Sequence, residues 1–146
     1  MLFSHVLLLG AMICAFPWQA TKATCESSPL IRATPPPDPS ADSFGEGPWY
    51  VSADRTIWAG WMADRWIVGR NKVLWVRPAG TELTIKGDRI DGLSARLTAQ
   101  IPCCYRFGFQ ATTVTFPTAG CWRVTATAGE HTLTFVTSVS ATKPSR

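Results

Sequence analysis

An all-β domain is the fold class this chain predicts, and three observations predict it. A glycine-centred hairpin near the C-terminus has alternating strands on both sides. Several short apolar runs are separated by turn signals, and no stretch after the N-terminal leader has helical periodicity. The expectation is a small antiparallel, immunoglobulin-like β-sandwich after a signal segment and a Pro-rich tether, with a small β-barrel as the alternative. By residue, the division is a signal peptide 1–23, a tether 24–48, a sandwich domain 49–142 and a C-terminal tail 143–146.

The apolar run 6–16 (VLLLGAMICAF) is too short to span a bilayer as a helix and fits the central part of a secretory signal. No Lys or Arg precedes it, and the best cleavage point follows Ala23, with Thr21 at the −3 position. Ile13 precedes Cys14 and Thr24 precedes Cys25, so no small residue marks a lipid-attachment site, and lipid anchoring is unsupported. The mature chain offers no transmembrane segment. Pro29, Pro35, Pro36, Pro37, Pro39 and Pro48 punctuate a stretch rich in Ser, Ala and Asp, which favours extended backbone and buries no core.

Short strands are expected over 49–52, 57–62, 65–68, 73–77 and 83–85, with turns at 69–71, 78–80, Gly87-Asp88 and Asp91-Gly92. The cleanest alternation is 93–101. Leu93, Ala95, Leu97, Ala99 and Ile101 share one side, and Ser94, Arg96, Thr98 and Gln100 the other. Phe107 and Phe109 start a further strand that Val114 and Phe116 continue in the opposite phase, so a bulge or break is expected near Ala111-Thr112.

The hairpin spans 116–139. Gly129-Glu130 suits a type II′ turn, which has its glycine at the first central position. That turn sets Val124 opposite Phe135 and Ala126 opposite Leu133 on one face, and Thr125 opposite Thr134 and Thr127 opposite Thr132 on the other. Apolar meets apolar and threonine meets threonine, and a one-residue slip would reverse every side chain.

Five cysteines are present, and removal of the leader with Cys14 leaves Cys25, Cys103, Cys104 and Cys121, an even set suited to an oxidising compartment. Cys121 is in phase with Arg123 and Thr125 and out of phase with Trp122, so it points away from the core. That rules it out of a buried inter-sheet bridge and favours Cys25 as its partner. Cys103 and Cys104 are then a vicinal disulfide or a pair of thiols. The other pairing gives each neighbour one of Cys25 and Cys121. Zinc ligands come in separated pairs, so a metal site at Cys103-Cys104 is disfavoured.

Net charge is only +4 and the basic residues are scattered singly, so no phosphate-tracking stripe exists and nucleic acid is not an expected partner. The mature chain has a single histidine, His131, beside the hairpin turn. No H-E-x-x-H, G-x-S-x-G or phosphate-loop motif accompanies it, and Asp88 and Asp91 sit beside glycines as turn formers. No enzyme and no cofactor are expected. Six of the seven tryptophans follow the leader, and Trp122 and Trp75 face the core in strand phase. Trp58 and Trp61 differ in parity, so one sheet face cannot bury both. Trp58, Trp61 and Trp66 are the candidate ligand-binding aromatics, by stacking on a sugar or burial in a protein partner, and the alternative is that these rings cap the ends of a small core.

The segments LTIKGDRIDG, GFQATTVTFP and FPTAGCWRVTATAGEHTLTFVTSV, after a cysteine and a proline-rich lead, resemble a group of uncharacterised secreted bacterial proteins, often lipoprotein-like. Their C-terminal part reads G-F-Q … F-P-T-x-G-C-W-x-V-T … L-T-F-V. The positions that match are Gly108-Phe109-Gln110, 116–122 and 133–136. The resemblance implies export and a sandwich domain, not a reaction. The combined expectation is an exported monomeric domain, in the periplasm, envelope or medium, with binding or envelope-structural work. Its partner is unknown, with an envelope protein or a glycan in view. Two rivals stand beside it: a carbohydrate-binding module using the exposed tryptophans, and a thiol/disulfide redox protein at Cys103-Cys104.

Overall fold

The computed structural model describes residues 24–37, 45–61, 65–103 and 105–141, and of Trp61 the backbone alone. The signal segment 1–23, Cys104 and the tail 143–146 lie outside the described residues. Among the described residues ten strands form two packed sheets: β1 Ile31–Ala33, β2 Gly47–Val51, β3 Trp58–Trp61, β4 Trp66–Ile67, β5 Gly69–Val76, β6 Leu83–Arg89, β7 Thr98–Gln100, β8 Phe109–Phe116, β9 Gly120–Ala128 and β10 His131–Ser140. One sheet runs β1-β2-β3-β5-β8-β7 and the other β4-β10-β9-β6. Every pair is antiparallel except β4 with β10. The chain is the all-β sandwich that the sequence predicts.

Its hairpin has the expected register. Val124 pairs with Phe135, Ala126 with Leu133, Thr125 with Thr134 and Thr127 with Thr132. Gly129 has φ +62° while Glu130 does not enter the positive region, as a type II′ turn requires. The inward face of β9 and β10 joins the main core. There Phe135 stacks on Tyr50 at 3.9 Å between centroids, and Phe116 meets both Trp122 and Trp66 edge-on.

Two stretches belong to both sheets. Residues 95–97 bond to β6, through Leu97 N to Gly87 O and Arg89 N to Ala95 O, before β7 turns away to pair with β8. Likewise β4 pairs with β10, and after Gly69 (φ +92°) the chain becomes β5 of the opposite sheet. Strands that switch sheets make corners and draw a sandwich toward a barrel. They explain why the 93–101 alternation yields only a three-residue strand, with Leu93 left 88 % exposed. The expected turn at 69–71 is instead the start of β5, and β6 continues through Gly87-Asp88.

No bulge interrupts β8. Its register with β5 is continuous from Gly69↔Phe116 to Val76↔Phe109, and its inward residues are Gln110, Thr112, Val114 and Phe116. Two of these are polar, and each is satisfied. Trp75 Nε1 donates to Thr112 Oγ1 at 2.9 Å, Arg77 Nε donates to Gln110 Oε1 at 2.9 Å, and Gln110 Nε2 donates to the Pro102 carbonyl at 2.7 Å. A buried polar group costs little once it is bonded.

The proline-rich stretch also enters the fold. Its residues Ile31–Ala33 form β1 on the edge of β2. On the outer face of that sheet Trp49, Trp58 and Val76 make a second small cluster with Ala33, Val51 and Leu74. Trp49 lies flat over Gly60, where a Cβ would stand 2.6 Å from its ring.

Candidate functional site

Three places combine chemistry with position: a disulfide clasp, the loop ends near His131, and an open seam between the sheets.

The clasp is built on β9. Strand alternation sends Trp122 fully into the core and Cys121 to the opposite face. Cys121 is nevertheless buried, because Cys25 reaches it in a disulfide with Cα atoms 5.3 Å apart and a sequence separation of 96. Three residues on, Ser28 takes the place of a neighbouring strand. Its N–H donates to the Val136 carbonyl, and the Val136 N–H donates to its Oγ, both at 2.9 Å. The N-terminal segment is thus strapped to β9 by the disulfide and to β10 by two hydrogen bonds. Beside Cys121, the Arg89 guanidinium holds Asp91 at 2.7 Å and keeps its carboxyl below the ordinary range, so Asp91 does more than form a turn. Cys103 is itself disulfide-bonded, while Cys104 lies outside the described residues.

Two of the aromatic candidates, Trp58 and Trp66, do not offer ring faces. Trp58 is 2 % exposed and Trp66 3 %. Trp66 sits in the main core, whereas Trp58 occupies the second cluster, with its Nε1 donating to the Arg55 carbonyl and the Arg55 guanidinium 5.1 Å over its ring. The larger sheet carries an apolar cluster on each face, and Trp58 lies in the outer one. The side chain of Trp61 lies outside the described residues.

His131 Nδ1 stands 2.6 Å from Asp54 Oδ2, joining the end of the β9–β10 hairpin to the β2–β3 loop. Asp54 Oδ1 also accepts the Ser52 hydroxyl at 2.6 Å, the Thr56 hydroxyl at 2.6 Å and the Thr56 N–H at 3.1 Å. These bonds, led by Ser52, hold the Asp54 carboxyl far below its ordinary value. The carboxylate stands between the serine and the histidine. A nucleophilic relay needs the histidine in the middle, so the group works as a loop clamp. The sequence hides it, because Asp54 and His131 meet only through tertiary folding.

The seam is a cleft of about 530 Å³ between β6 and β7. Leu83, Ile85, Ala99 and Ile101 flank it, and Arg77 and Gln110 close its inner end. Arg77 is buried, and besides Gln110 it bonds the carbonyls of Pro78 at 3.0 Å and Tyr105 at 3.2 Å, which fixes the loop that bears Cys103. Among the described residues no group of three or more His, Cys, Asp or Glu stands ready to hold a metal ion, and no helix is long and apolar enough to cross a membrane. No protein-family model, curated protein or solved structure matches the chain.

Proposed function

We propose that this chain is an exported, non-catalytic β-sandwich domain with binding or structural work at the cell envelope, akin to the secreted bacterial proteins it resembles. The observation that carries the reading is the Cys25–Cys121 disulfide. Bridges of this kind persist where the surroundings are oxidising and are rare in reducing cytosol. Cleavage after Ala23 would leave Cys25 at the second position of the mature chain, so the leader and the strap fit one design. The burial of Trp58 and Trp66 favours this reading over a glycan-binding module that would stack sugars on them.

Expression of the whole chain in a bacterial host, followed by fractionation, N-terminal sequencing and intact mass with and without reductant, tests the proposal. The expected product is outside the cytosol, begins at Thr24 and carries the Cys25–Cys121 bridge. A chain that keeps residues 1–23 and stays in the cytosol with free thiols would overturn it.

A further inference from the structure

The seam between β6 and β7 is a strand ladder pulled apart. Antiparallel pairing through Asp88↔Arg96 sets Gly87 opposite Leu97, and the same register continues to Ile85 opposite Ala99 and Leu83 opposite Ile101. Those last two pairs do not form, because β7 leaves β6 and pairs with β8 instead, through Thr98↔Thr115 and Gln100↔Thr113. Backbone groups alternate sides along a strand. Since Gly87, Arg89, Ala95 and Leu97 bond across this boundary, the N–H and C=O of Leu83, Ile85, Ala99 and Ile101 turn toward the cleft. Both strands are the last of their sheets, and among the described residues no ladder bond crosses the cleft beyond Leu97.

We propose that this cleft binds a partner protein through an extended peptide segment, which enters as an added strand between the edges of β6 and β7. Two facing rows of donors and acceptors at strand spacing are matched by an extended backbone and by little else. The walls supply the second part of the specificity. Leu83, Ile85, Ala99 and Ile101 are apolar, and among the described residues the lining holds one cation, Arg77, and one carboxylate, Glu82. The segment it takes is therefore uncharged and alternates apolar with small polar residues. Its volume lies within the range of pockets that bury a ligand of a few residues. This deepens the binding role proposed above by naming the partner's chemistry. Its test uses purified protein and does not depend on location, so export can fail while this holds, and the reverse.

The probe is a fluorescein-labelled, end-blocked peptide of about seven residues alternating Val and Thr, titrated into the full chain while amide hydrogen exchange is followed residue by residue. Saturable binding below about 1 mM is expected, and exchange at Leu83, Ile85, Ala99 and Ile101 should slow by roughly tenfold or more. Thr84, Lys86, Thr98 and Gln100, which already face their ladders, should not change. The same peptide N-methylated at every second residue keeps its side chains but loses one row of donors, and should bind at least roughly tenfold more weakly. Three outcomes would overturn the proposal. These are no binding, binding that leaves the four cleft amides unprotected, and protection of those amides in the protein alone that rises with concentration, which would assign the edge to a second copy of this chain.

Discussion

Loss of the clasp should be the largest single covalent effect on stability. The bridge spans 96 residues of sequence, and the chain-entropy relation for a loop of that size gives about 4.7 kcal/mol at 25 °C. Most of that acts on the unfolded chain, whose ends are no longer tied. In the folded state Ser28 still bonds Val136, so the strap has a reason to stay docked. For a domain of about a hundred residues the unfolding entropy is roughly 0.2 kcal/mol/K, which converts the loss to a fall in Tm of about 20 °C. The variant to use is Cys25→Ala/Cys121→Ala, because a reductant would open the Cys103 bridge as well. Thermal unfolding followed by circular dichroism reads the effect directly. With the disulfide intact, Ser28→Ala should cost only about 1 kcal/mol. A double variant that melts within about 5 °C of the parent would refute the entropic account of the strap.

Gln110→Leu removes the acceptor of the buried Arg77 Nε and should destabilise by about 2–4 kcal/mol in urea unfolding, although leucine is the more apolar residue. Gly87→Ala would drive a Cβ into the Leu97 side chain and to 2.9 Å from the Arg123 carbonyl, so a loss of about 1–3 kcal/mol is expected by the same measurement. Asp54 has its carboxyl pKa depressed from 3.8, first by the Ser52 hydroxyl. Its stabilising effect is therefore complete above that unfolded value and lost as pH falls through the folded one. Urea midpoints of the parent and Asp54→Asn should differ at neutral pH and converge in strong acid, and a constant gap down to the acid limit would contradict the clamp.

How much of this was legible in the sequence depended on whether neighbours along the chain were also neighbours in space. The β9–β10 register could be read because both strands and their turn are contiguous, and because threonines and apolar residues alternate without exception. The outward phase of Cys121 followed from the same alternation, and with it the preferred pairing to Cys25. Hydropathy misjudged β8, since Gln110 and Thr112 face inward and are satisfied by Arg77 and Trp75, residues more than thirty positions away. It misjudged 93–101 because periodicity carries no sign of a strand that changes partners halfway. The parity of Trp58 does not reveal its burial, because the protein has a second apolar cluster on the outer face of the larger sheet as well as the main core. The cleft was invisible for a related reason: an unmade ladder bond leaves no trace in residue type.

The two sheet-switching stretches have a consequence for how the domain comes apart. Residues 66–76 and 95–100 each contribute to both layers, so neither layer can melt while the other keeps all of its hydrogen bonds. A sandwich of two independent sheets could yield one leaf at a time. This one is stitched at both corners, and the loss of either stitch exposes apolar surface shared by all the central strands. Its opening is therefore expected as a single event rather than a sequence of partial ones.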